Sequence, residues 1–396
     1  MVVDLRHGAW AIGAALLAVA GCEAHGIVAS NVSAGYMPDS EGSEGGAGTT
    51  MGTGGAAPGT TGDAPGISTT GDDDPGGSTS SNTLFDVGHG GGSPIFCEAP
   101  HTFSCDGQGN DIWNAIGVGC PGGELIDASF DGHPHAVYVH EGGLGTHGVF
   151  SPREGERMVI LSTGRAADIP RTHEELGCSN PEFCPSTAFD NGPAMYSLPL
   201  PIDVRKVDDV MTCDRDPTLV GEGDCSNTLE DEWMSGTGAH DYAEMRMRLK
   251  VPEKADAFIY QFAFFSAEYP AWANHDSQWN DMYIAWLESE KWTGNISFDQ
   301  LGNPISINGV FLDFFDAPSP SCEATSCESP ELEGFAMEGH AGTRWLETVA
   351  PVEPGEEIEV VFSIFDMSDA SYDTIVLLDN VHWGCTDLPP VTAPQG

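Results

Sequence analysis

The chain has 396 residues, of which 61 are acidic and 14 basic, giving a formal net charge of −47. Such a chain repels phosphate backbones and anionic lipid headgroups, which excludes nucleic-acid binding as a function. Much of the glycine (50 residues) lies before residue 93, so the folded part is smaller than the length suggests.

The N-terminus carries Arg6 and His7, then an apolar run from Ala9 to Ala20. That run is too short to span a bilayer as a stable helix, and it ends in small residues, as a secretory signal does. Its last residues, LAVAGC, resemble the lipobox of bacterial lipoproteins. The resemblance implies a signal peptide over 1–21 and a lipid on Cys22, which becomes the first residue of the mature chain. The expected location is the bacterial cell surface or outer membrane, with the membrane held through the N-terminal lipid. The lipidated N-terminus and linker then run from 22 to 92. From Ser30 the composition falls to Gly, Ser, Thr, Ala, Asp and Pro, as in GGAGTTMGTGGAAPGTTGDAPG, which cannot bury a core and reads as a disordered stalk.

Eleven cysteines are present, and ten remain once Cys22 is set aside. An even number outside the cytosol, with no CxxC, points to disulfides rather than a zinc ribbon. Proximity suggests Cys97 with Cys105, Cys178 with Cys184, Cys213 with Cys225 and Cys322 with Cys327. Cys120 and Cys385 are left to join the ends of the domain, though sequence alone leaves the connectivity open.

From 93 to 390 the chain reads as short strands. Met245, Met247, Leu249 and Val251 alternate with charged residues, which predicts a half-buried strand. Phe258, Tyr260, Phe262 and Phe264 predict a second, the run from Ile305 to Leu312 a third, and Ile358–Phe365 and Ile375–Leu378 two more. THEEL at Thr172 has the form of a helix capping box, and DMYIAWLESE is taken as a strand despite its helical propensity. The fold class expected is all-β, an antiparallel β-sandwich or jelly roll.

Four segments in order resemble the choice-of-anchor L domain of bacterial surface proteins. GVFSPREGERMVILSTGRAADI is similar to an early strand ending in a Leu-Ser-Thr-Gly turn. DYAEMRMRLKVPEKADAFIYQFAFFSAEYP resembles a long hairpin closed by an acidic corner. SQWNDMYIAWL and IEVVFSIFDMSDASYDTIVLLDNVHW resemble the following Asn-Asp strand and the terminal hairpin. The resemblance spans roughly 120–384 and departs at Ala267, where the family more often has Ser or a second acid. The Cys-rich stretch near 178–225 reads as an insertion. What the resemblance implies is a surface or adhesion module, with no catalytic activity attached to the family as a whole.

Three constellations carry candidate chemistry. Glu268, Asp281, Asp366, Asp369 and Asp373 all stand where a strand ends or a loop begins, and calcium takes six to eight hard oxygens of this kind. The competing explanation is that Asp369 and Asp373 cap their own turns. His133 and His135, with His140 and Glu141 beyond, would present imidazoles on one side of a strand, but Pro134 fits a central strand poorly. Glu268 and Asp281 could also serve as a glycosidase carboxylate pair, with Tyr269, Trp272 and Trp279 stacking on sugar rings. The function expected is a noncatalytic adhesion or binding domain, with calcium as the cation and an extracellular polymer, glycan or protein surface as partner. A glycan-binding or glycan-hydrolysing secreted enzyme is the competing class.

Overall fold

The structure is a computed structural model that describes residues 97–101, 104–106, 111–120, 124–190, 192–272, 279–309, 311–319 and 327–395. The signal peptide, Cys22, the linker and Cys322 lie outside the described residues.

In chain order the strands are β1 (Glu124–Asp131), β2 (Val137–Glu141), β3 (Arg157–Ser162), β4 (Ala239–Lys250), β5 (Ala257–Ser266), β6 (Met282–Glu288) and β7 (Thr293–Asn295). They continue as β8 (Ile305–Ser306), β9 (Leu312–Phe315), β10 (Ala341–Thr343), β11 (Leu346–Pro351), β12 (Glu357–Met367), β13 (Thr374–Gly384) and β14 (Val391–Pro394). They form two antiparallel sheets packed as a sandwich. One has the order β1-β4-β12-β6-β7, with β8 on β6. The other has the order β14-β11-β5-β13-β3-β2, with β10 joining β5 to β9.

The expected strands are present with two corrections. The Ile305 run breaks at a turn, so that β8 holds only Ile305 and Ser306. The two expected hairpins are arches: β4 and β5 lie in opposite sheets, as do β12 and β13. The reason lies in their apolar faces. Met245, Met247 and Leu249 of β4 meet Phe258, Tyr260, Phe262 and Phe264 of β5 across the central core, along with Val360, Phe362 and Ile364 of β12. Stacking two apolar faces buries both, whereas pairing edge to edge would leave each needing another cover. Tyr hydroxyls inside this core are paired, Tyr283 donating to Tyr260 at 3.1 Å.

The sandwich is also covered on its outer faces, which explains strands that are buried on both sides. Met282, Ile284 and Trp286 of β6 pack beneath Leu198, Ile202 and Leu229, so the Cys-rich stretch read from sequence as an insertion, with Leu229 just beyond it, covers one sheet. Ile160, Phe265 and Leu377 pack under Phe150, Leu332, Phe335 and Trp345 on the other. Helices are short. In α1 (His173–Leu176) Thr172 accepts from the Glu175 amide and the Glu175 carboxylate accepts from the Thr172 amide, the capping box read from THEEL. The second, α2 (Glu230–Ser235), follows the Cys-rich stretch. No helix among the described residues is long and apolar enough to cross a membrane.

Disulfides join Cys97–Cys385, Cys105–Cys120, Cys178–Cys184 and Cys213–Cys225, and Cys327 is also disulfide-bonded. The bridge between the ends of the domain therefore uses Cys97, not Cys120. Sequence proximity misassigned it because the Glu98 amide donates to the Lys254 carbonyl, which sets Cys97 beside the end of β13.

Candidate functional site: a buried acidic cluster under an aromatic rim

The five acids singled out from sequence converge on one end of the sandwich. Glu268 follows β5, Asp281 precedes β6, Asp366 lies near the end of β12, and Asp369 and Asp373 lie in the arch between β12 and β13. Glu268, Asp281, Asp366 and Asp373 are buried, and Asp369 is half-buried. The cluster sits between the two sheets, because β6 and β12 belong to one and β5 and β13 to the other.

Each acid is held differently. Asp281 accepts one hydrogen bond on each oxygen and keeps a lone pair on each: Oδ1 accepts from the Met367 amide at 2.7 Å and Oδ2 from the Thr374 hydroxyl at 2.8 Å. Asp373 accepts from the Thr187 amide at 2.5 Å, which fastens the insertion to the arch. Its carboxylate also lies over Gly164, where an added Cβ would stand 1.9 Å from Oδ2; only glycine fits at the end of the Leu-Ser-Thr-Gly turn. Asp369 accepts from the Ser371 amide at 2.9 Å and so caps its own turn, as the competing explanation expected. The remaining two differ in kind. Glu268 Oε2 and Asp366 Oδ1 are buried and have no hydrogen-bond partner among the described residues.

Burial raises all five carboxyls, and at Glu268, Asp281 and Asp366 repulsion from other acids of the cluster adds to it. Desolvation, then the nearby Asp281 and Asp369, push Glu268 up to about 11. Asp281 and Asp366 are also held well above the usual carboxylate range, first by burial. Asp373 is pushed up to about 7, again chiefly by burial. His240 stands opposite Asp366 in the β4–β12 register, and its buried Nδ1 lacks a partner.

Above the acids runs a chain of aromatics. Phe183 lies 6.0 Å from Tyr372, Tyr372 lies 6.5 Å from Trp272, and Trp272 lies 6.4 Å from Trp279, centroid to centroid. Phe183 is 46% exposed and Trp272 is 39% exposed. Tyr372 has φ +66°, a left-handed conformation that costs a bulky residue energy and that the arch sustains. Sequence reading named Trp272 and Trp279 but missed Phe183 and Tyr372, since nothing in their local pattern marks a residue 189 positions away as a neighbour. The third aromatic singled out, Tyr269, is buried and donates to the Ala317 carbonyl, so it packs the corner and does not face a ligand.

The other constellations separate. His133 and His135 occupy the turn between β1 and β2, not a strand, and His133 stacks flat on Phe189 with centroids 3.8 Å apart. His140 is in β2, where Nε2 contacts the Gly143 carbonyl at 3.4 Å, and Glu141 pairs with Arg157 at 3.4 Å. As a glycosidase pair, Glu268 and Asp281 are poorly placed, since both are buried and the second accepts a structural bond on each oxygen. A cavity of about 660 Å³ lined by Asp256, Lys291, Trp292 and Pro351 lies at the opposite end of the sandwich, by the β4–β5 arch. A shallower one of about 460 Å³, lined by Tyr196, Trp233, Met234, Gly236, Thr237 and Gly238, carries no charged side chain. Among the described residues, the one trio of ligand-type atoms within 4.8 Å of one another is Cys97, Asp256 and Cys385, and its two sulfurs are joined in a disulfide. Compared with known proteins, the chain matches no family model, no curated protein and no solved structure.

Proposed function

We propose that this protein is a noncatalytic binding module, exported and held at the bacterial surface by a lipid on Cys22, with the stalk giving its sandwich reach. The resemblance of LAVAGC to a lipobox and of four segments to choice-of-anchor L supports the address and the class. The observation that carries the binding role is the aromatic rim of Phe183, Tyr372, Trp272 and Trp279. Aromatic side chains offer large contact area at low entropic cost, and they concentrate where surfaces recognise partners. A strained backbone at Tyr372 and a buried acidic base under the rim hold that surface in one shape.

A glycan ligand is the second reading, favoured by the uncharged pocket between Tyr196 and Trp233. On a surface of net charge −47, a neutral polyhydroxylated ligand meets no repulsion there.

The test compares the full chain with a Phe183→Ala, Trp272→Ala variant on intact bacterial cells and on a glycan array. The reading expects a loss of binding of tenfold or more with an unchanged melting temperature. Equal binding by the variant refutes the rim as the contact. Fatty-acid labelling that persists in Cys22→Ala refutes the tether.

A further inference from the structure

We infer that the base of this rim is a divalent-cation site of the calcium class, built from Glu268, Asp281 and Asp366 with the hydroxyl groups around them. The inference does not depend on what the rim binds. Acidic clusters are common on acidic proteins, so the number of carboxylates is not the argument. The argument is that two of these oxygens, Glu268 Oε2 and Asp366 Oδ1, are buried without any hydrogen-bond donor. Glu268 is 3% exposed and Asp366 is 1% exposed, so bulk water does not replace the missing partner. A buried polar atom left unpaired costs free energy, and a carboxylate costs more than a neutral group.

Elsewhere this chain solves that problem with backbone amides. Asp379 accepts from the amides of Arg153, Glu154 and Asn380, and Asp106 accepts from those of Glu156 and Arg157. At the cluster no amide, Lys or Arg among the described residues meets the two open oxygens, although Glu268 lies close enough to Asp281 and Asp369, and Asp366 close enough to Asp281 and Asp373, to repel them. A cation supplies what is missing.

The donor set points to calcium. The carboxylates come from three separate strand ends in both sheets, and the hydroxyls of Ser266, Thr163 and Thr374 lie among them: Thr374 Oγ1 donates to Asp281 and lies 3.3 Å from Ser266 Oγ, and Thr163 Oγ1 accepts from the Thr374 amide at 2.9 Å. Hard oxygens in an irregular shell suit calcium, which tolerates six to eight ligands, better than magnesium, which demands a near-octahedral one. As described, these acids do not bring three oxygens within 4.8 Å of one another. Closing the shell requires Glu268 and Asp366 to turn inward, and these are the two carboxylates with an oxygen that no bond restrains.

The experiment uses the full chain and terbium, whose emission is sensitised by nearby indoles; Trp272 donates its amide to the Glu268 carbonyl at 2.8 Å. The expected results are sensitised emission that calcium displaces, and a melting temperature raised by about 5 °C at calcium one hundred times its dissociation constant, relative to chelator. Glu268→Gln and Asp366→Asn, each folded by circular dichroism, should lose both signals. Asp214→Asn, remote from the cluster, should keep them. Wild-type protein with no displaceable emission and no chelator effect overturns the site, even if neither variant folds. Signals that survive in both variants overturn these residues as ligands. A response to zinc alone would assign the site to the unpaired His240 nitrogen and overturn calcium.

Discussion

Asp224 offers a quantitative test of how so acidic a chain folds. Its carboxylate is fully buried and collects five donors. Oδ1 accepts from the Ser226 amide and hydroxyl and from the Asn295 amide, and Oδ2 accepts from the amides of Thr228 and Leu229. It ties the insertion to β7, where Gly294 leaves room; a Cβ there would fall 2.5 Å from Oδ1. Burial, the largest effect, raises the carboxyl above its ordinary value, while these donors pull it back down. The donors decide between the two forms: all five point hydrogens at the group, so a proton on it would face a hydrogen rather than a lone pair. Asp224→Asn then turns an NH₂ toward at least two donors. Two buried amides without partners cost about 1–3 kcal/mol each, or roughly 2–6 kcal/mol in all. Against a total stability of about 5–15 kcal/mol this is large, and it lowers the melting temperature by roughly 3–10 °C. Calorimetry at fixed calcium and neutral pH measures it, and limited proteolysis should place new cleavage in the insertion. A variant melting within about 1 °C of the parent would show that the carboxyl is held protonated and that burial outweighs the donors.

Two further predictions concern pH and the disulfides. Burial first, opposed by three backbone amides, pushes Asp379 up to about 8 from an ordinary 3.8. The folded chain therefore binds a proton that the unfolded chain has released, so this contribution is complete below about pH 4 and is lost as pH rises through about 8. Melting temperature at fixed calcium should fall between pH 5 and 8.5, less steeply in Asp379→Asn; a rise over that interval contradicts the assignment. Replacing Cys97 and Cys385 by Ser opens a span of 288 residues and should cost about 3–5 kcal/mol. Removing Cys178–Cys184, only 6 residues apart, should cost less, and equal denaturant midpoints would show that loop length does not set the difference.

The extent to which function could be read locally varies with the residue. Thr172 and Glu175 announced their helix start because a capping box is a contact three residues long. The acids were found one by one, since each stands at the boundary between an apolar run and a turn. Their convergence was not readable from any one of them. It depends on β12 and β5 lying in different sheets and ending at the same pole, and the same topology turned the expected hairpins into arches.

Sequence by itself determined the composition break near residue 93, the period-two strands and hence the all-β class, because alternation and low-complexity composition are properties of neighbouring residues. Only the tertiary structure decided that Cys97 meets Cys385, that the insertion roofs β6, and that Phe183 reaches Tyr372. It alone also showed that Glu268 Oε2 and Asp366 Oδ1 are left without donors. Pairing and burial are properties of what the chain brings together from far apart, and no local pattern encodes which oxygen will go unmet.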